Sequence, residues 1–132
     1  MKFASTRLVA ADIKSVVAFY ELVTRQKADW LAPVFAEIVT PAATIAIGAA
    51  ETVALFEEGS AEPRANRTAI LEFMVDDVEA EYSRLKDQLE VVHEPKTMPW
   101  GNRTTMFRDP EGTPVALYTP VTDAARARFA GR

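Results

Sequence analysis

From Phe3 to Ala10 apolar residues flank Ser5, Thr6 and Arg7, and the pattern then changes to a helical period. This run reads as a strand over about 3–10. Asp12 follows, and Ile13, Val16, Val17, Tyr20 and Val23 recur at the spacing of one helix face. An aspartate at that junction predicts a helix N-cap, because its carboxylate accepts a backbone N–H left free in the first turn. The same succession returns 65 positions later. "EFMVDDVEAEYSRLKDQ" (72–88) runs from a strand-like segment into a helix led by Asp77, with Val78, Tyr82, Leu85 and Leu89 as its stripe. Leu8 then matches Phe73, Ala10 matches Val75 and Asp12 matches Asp77. Both stripes read as core packing against a sheet.

Short apolar segments follow each predicted helix. The first half offers "VFAEIVT" (34–40), "TIAIGA" (44–49) and "TVALFE" (52–57); the second offers "VVHEPKTM" (91–98), "RTTMFR" (103–108) and "PVALYT" (114–119). Each half is therefore a βαβββ unit, and the fold class is α+β. Module 1 covers about 1–60 and module 2 about 66–120, with the polar loop around Pro63 dividing them. "TDAARARFAG" (122–131) predicts a final short helix capped by Asp123. The length suits a single domain over 1–132.

Composition narrows the function classes. Of the 132 residues, 48% are hydrophobic, enough for a core, and no apolar run is long enough to span a bilayer. The start of the chain lacks the apolar core of a secretion signal, and cysteine is absent, which together fit a cytoplasmic protein. A formal net charge of −4 with scattered Lys and Arg gives no basic patch, so neither nucleic acid nor membrane is expected as a partner. The five glycines do not cluster into a phosphate-cradling loop.

Two phrases carry a family resemblance. "LVAADIKSVVAFYE" (8–21) and "MPWGNRTTMFRDPEGTPVALY" (98–118), with its Trp-Gly and its Asp-Pro-Glu-Gly turn, stand half a chain apart in a tandem βαβββ pattern. The chain resembles the vicinal-oxygen-chelate superfamily of glyoxalases, bleomycin-resistance proteins, fosfomycin-resistance enzymes and extradiol dioxygenases. The resemblance implies two modules whose curved mixed sheet surrounds a cavity, usually in a homodimer. Metal-containing members place a His or Gln on the first strand of each module and a Glu on the last. Those positions fall here on Ser5, about Leu55, Ile70 and Ala116. Leu, Ile and Ala have no side-chain donor atoms, so neither a metal nor any other cofactor is expected. The single histidine, His93, reads as an ordinary strand residue.

Strand alternation sorts the cavity-facing positions. Ser5, Arg7 and Val9 share one face of the first strand, and Ile70, Glu72 and Met74 share the matching face of its repeat. Arg7 and Glu72 are equivalent and have two readings: a salt bridge in place of a metal, or recognition of a polar ligand with Glu72 as a general base. Trp30, Trp100 and Tyr118 offer flat surfaces, for packing at a junction or for a ligand, and Tyr118 shares the face of Ala116. The expected function is metal-free binding of an unidentified small molecule, in drug resistance or metabolite binding. The alternative is an enzyme, either metal-dependent through His93 with Glu57 or Glu58, or metal-free with Glu72 or Tyr118 as acid or base.

Overall fold

The computed structural model describes residues 1–132. The chain divides into two compact units, Met1–Asn66 with Pro110–Gly112, and Arg67–Asp109 with Thr113–Arg132, called here modules 1 and 2.

Module 1 contains Ser5–Ala10 (β1), the helix Ile13–Thr24 (α1), Asp29–Ala32 (β2), Phe35–Val39 (β3), Thr44–Ala49 (β4) and a 3-10 helix, Ala50–Leu55. Its sheet has the order β1-β4-β3-β2, with β1 parallel to β4 and the other pairs antiparallel. One face carries Ile45, Ile47, Ala36 and Ile38, all buried, and α1 packs on it with Val16, Val17, Tyr20 and Val23. The helical stripe read from the sequence is thus the core of this module.

The entry to α1 is held twice. Asp12 accepts from the Ser15 N–H at 3.3 Å, the expected cap. Glu111, from the Asp-Pro-Glu-Gly turn, accepts from the N–H groups of Ala11 and Asp12 at 2.8 and 2.7 Å. A carboxylate on two backbone donors at a helix N-terminus is charge-assisted and favoured by the helix dipole. Replacing Glu111 with Ala is expected to cost about 1–2 kcal/mol, read as a lower urea midpoint. A change below about 0.3 kcal/mol would mean that water replaces the carboxylate without loss.

Module 2 contains Leu71–Met74 (β5), the helix Val78–Leu85 (α2), Glu90–Thr97 (β6), Asn102–Arg108 (β7), Pro114–Pro120 (β8) and the helix Asp123–Phe129 (α3). Its sheet repeats the first order, β5-β8-β7-β6, again with a parallel first pair. Asp77 caps α2 by accepting from the Ala80 N–H at 3.1 Å. Val78 and Leu85 of α2 are buried with Phe107, Val115 and Leu117 of the sheet, and Tyr82 stacks on Phe107 with ring centroids 6.3 Å apart. At the β7–β8 turn the Asp109 carboxylate accepts from the Thr113 N–H at 3.0 Å, and Gly112 takes φ 91°. That left-handed conformation is the one that a glycine supplies without strain. No helix is long and apolar enough to cross a membrane.

Three element assignments need correction. "TVALFE" is not a strand: most of it lies in the 3-10 helix, where the Thr52 hydroxyl donates to the Ala49 carbonyl at 2.7 Å and turns the chain out of β4. The third strand of module 1 is instead β2, the four-residue "DWLA". The cap of α3 is Thr122, whose hydroxyl oxygen accepts from the Ala125 N–H at 3.1 Å; Asp123 lies one residue inside and pairs with Arg126 at 3.2 Å.

Candidate functional site

The register of each sheet defines the face that the helices α1 and α2 leave uncovered. In module 1, Arg7 lies opposite Ala46, Ala46 opposite Glu37, and Glu37 opposite Asp29, so these four share one face. The next row is Val9, Gly48 and Phe35. In module 2, Glu72 lies opposite Ala116 and Ala116 opposite Met106, and the next row is Met74, Tyr118 and Thr104. Arg7 beside Ala46 therefore repeats as Glu72 beside Ala116, and Gly48 repeats as Tyr118.

This register moves the fourth matched position. The last strand of module 1 is β4, so the equivalent of Ala116 is Ala46 rather than Leu55, which projects from the 3-10 helix and is 85% exposed. Ala46 and Ala116 are both buried. The four positions then read Ser5, Ala46, Ile70 and Ala116, a set whose only donor is a hydroxyl, and it does not fit a transition metal. No group of three or more His, Asp or Glu side chains is gathered anywhere in the chain. His93 is a half-buried residue of β6, and its Nδ1 lies 2.8 Å from the Glu94 carbonyl oxygen.

Arg7 lies against two aromatic rings on the module 1 face. Its Cζ sits 4.4 Å from the centroid of the Phe35 ring and 5.2 Å from that of Phe56. Each contact contributes about 0.5–1 kcal/mol by attraction of the cation to the ring face. Arg7 forms no ion pair with a carboxylate of its own module. Beside it opens a pocket of about 400 Å3. Arg7, Val9, Thr52, Val53 and Phe56 form its walls, with Ser60 and Ala61 at the following loop. The site is thus mostly apolar with one cation and two hydroxyls, the composition typical of small-molecule pockets.

Module 2 treats its uncovered face differently. Phe129 of α3 lies against Tyr118, with centroids 5.6 Å apart. Arg128 and Arg132 in turn approach the Phe129 ring at 4.8 and 5.3 Å. Burial pushes the Tyr118 phenol above its usual pKa, the negative charge of Glu72 adds to this, and Arg128 and Arg132 oppose it. A phenol shifted upward stays protonated at neutral pH, so Tyr118 is a hydrogen-bond donor there and not a base.

The candidate residues divide between the two modules. Ser5 and Arg7 share the uncovered face of module 1, and Glu72, Met74, Ala116 and Tyr118 share that of module 2. Ile70 stands just before β5 and is 48% exposed. Trp30 lies opposite Ala36, on the α1 side of the sheet rather than the Arg7 side, and Trp100 is exposed in the turn before Gly101. Arg7 and Glu72 are both exposed in the chain, so the burial cost that argued for a salt bridge does not arise. Sequence reasoning missed Phe35, Gly48, Thr52 and Phe56. The available signal was an aromatic two residues from Glu37 and another just past the 3-10 helix.

Comparison with known proteins agrees with this architecture. Residues 2–117 match the family model described as the Glyoxalase/Bleomycin resistance protein/Dioxygenase superfamily. A glyoxalase/bleomycin resistance protein/dioxygenase from Nocardioides superposes with a TM-score of 0.77 at 21% identity, over 93% of this chain and 85% of that one. A family enzyme from Burkholderia phytofirmans PsJN gives 0.75 at 19% identity, over 92% and 100%. A virulence protein from Salmonella typhimurium gives 0.72 at 23% identity, over 92% and 98%. At these identities the likeness to solved structures shows the fold alone. No curated protein sequence matches significantly. With a family match across most of its length and the repeated sheet order of both modules, the chain belongs to the glyoxalase/bleomycin resistance protein/dioxygenase superfamily.

Proposed function

We propose that the protein binds a small organic molecule on the uncovered face of module 1, without a metal, in a drug-sequestering or metabolite-binding role. The observation that carries this reading is the pocket of about 400 Å3 beside an arginine held against two rings. On module 2, Glu72, Met74, Ala116 and Tyr118 are proposed as a second candidate surface in their own right. A cytoplasmic homodimer is part of the proposal, and the cysteine-free sequence suits a reducing compartment. Acid–base catalysis by Tyr118 is disfavoured because its phenol is harder, not easier, to ionise.

Thermal-shift screening of purified protein against aromatic and drug-like compounds tests the binding reading. A ligand present at about 100 times its Kd stabilises the fold by about 2.7 kcal/mol, a shift of several degrees. No shift with any compound would count against binding. Metal analysis of the same preparation is expected to give much less than one ion per chain, and a stoichiometric, chelator-resistant metal would overturn the metal-free part. Light scattering is expected to give twice the chain mass; a monomer at all concentrations would remove the dimer from the proposal.

A further inference from the structure

We propose that the ligand of the module 1 pocket is an organic anion, an apolar body bearing one acidic group, and that Arg7 reads that group. The proposal rests on the reading of this pocket as the binding site and adds the ligand's class to it.

Arg7 carries a guanidinium, and its module offers it ring faces instead of a carboxylate. Contacts to ring faces attract the cation but accept none of its five N–H donors. Those donors are arranged in a planar fork that matches a carboxylate or a phosphate-type group in two parallel hydrogen bonds. Two rings at 4.4 and 5.2 Å also restrict the side chain before any ligand arrives, which lowers the entropy lost on binding.

Gly48 lies beneath the end of Arg7 and against Thr52. A Cβ added there would meet Thr52 Oγ1 at 2.8 Å and Arg7 Nη1 at 3.4 Å. The glycine thus leaves room for the Thr52 hydroxyl, and the end of Arg7 lies over it at contact distance. In module 2 the equivalent place holds Tyr118, and the equivalent of Arg7 is Glu72, so no second cation of this kind is formed by the repeat. The walls beyond Arg7 are Val9, Val53, Phe56 and Ala61, with Thr52 and Ser60 contributing hydroxyls. Such walls suit an apolar body and add no second charge. A neutral aromatic ligand fits less well, because the faces of Phe35 and Phe56 are engaged by the guanidinium.

Matched acid and amide probes test this: indole-3-acetate against indole-3-acetamide, and 2-naphthoate against 2-naphthamide, titrated by calorimetry at low and high salt. The acids are expected to bind about 10–100 times more tightly than their amides, with the gap narrowing as salt rises. Arg7→Gln should remove the preference, bringing acid and amide to within about threefold of each other, and Arg7→Lys should keep only part of it, because the ammonium lacks the planar fork. Equal affinity of acid and amide in the wild type, or a preference that survives Arg7→Gln, overturns the anion assignment. If the amides then still bind and Ala61→Trp, in an exposed loop of the pocket, blocks them, the binding site stands and only its ligand class was wrong. If no probe binds, both the pocket reading and the anion assignment fall. Circular dichroism confirms that each variant is folded.

Discussion

Gly101→Ala is expected to destabilise module 2 by about 3 kcal/mol and to release α3 from the sheet. Two effects add at this residue. Gly101 has φ 91°, where a side chain is strained. A Cβ built there would stand 2.2 Å from Thr122 Oγ1 and 2.9 Å from the Ala125 Cβ. Thr122 is the cap of α3, and Ala125 is its buried residue. The added methyl thus strikes both groups that seat the helix, and Phe129 would leave Tyr118 with it. Urea unfolding measures the stability, and trypsin measures the release, because Arg126 and Arg128 lie within α3. Cleavage there should quicken at least tenfold while the remainder of the chain stays protected. Unchanged stability together with unchanged cleavage would show that α3 is seated by contacts elsewhere.

Phe107→Ala should cost still more, about 3–5 kcal/mol. The ring is fully buried, stacks on Tyr82 and sits on the α2 side of β7 opposite Val115. Module 2 has few comparable side chains, since β5 and β6 expose most of their residues. Leu85, Val115 and Leu117 are the main buried neighbours available to close the cavity, and the sheet and helix around them cannot collapse fully. The readout is convenient, because Trp30 lies in module 1 and Trp100 in module 2. In a Trp30→Phe background the Trp100 fluorescence transition should move to much lower urea. A shift worth under 1 kcal/mol would mean that Phe107 is not the centre of that core.

Local signals in the sequence were reliable where geometry is local. Asp12 and Asp77 both cap, because a carboxylate three residues before a backbone N–H needs no tertiary context. The stripe of α1 and the two repeats of strand–Asp–helix follow from the same short-range chemistry. Tyr118 was placed on the face of Ala116 correctly, because the adjacent glycine turn sets the register of β8. Module 1 had no such anchor. Its second strand is four residues, three of them exposed, while the apolar "TVALFE" imitates a strand and is turned by a threonine back-bond. Choosing the wrong last strand moved the matched position from Ala46 to Leu55. The setting of Arg7 was illegible for a related reason: Phe35, Gly48 and Phe56 lie 28 to 49 residues from it, and the sheet register brings the first two to it while the 3-10 helix brings Phe56.

Glu111 sets an order in time. Its carboxylate holds the start of the first helix from 100 residues downstream. At about 5–20 residues per second, a ribosome delivers residue 111 about 5–20 s after residue 11. Throughout that interval the N–H groups of Ala11 and Asp12 have only water to donate to, although Asp12 can already cap the first turn. The first helix to be synthesised is among the last parts of the protein to be completed, and a nascent chain truncated before the final hairpin carries a module 1 that lacks this clasp.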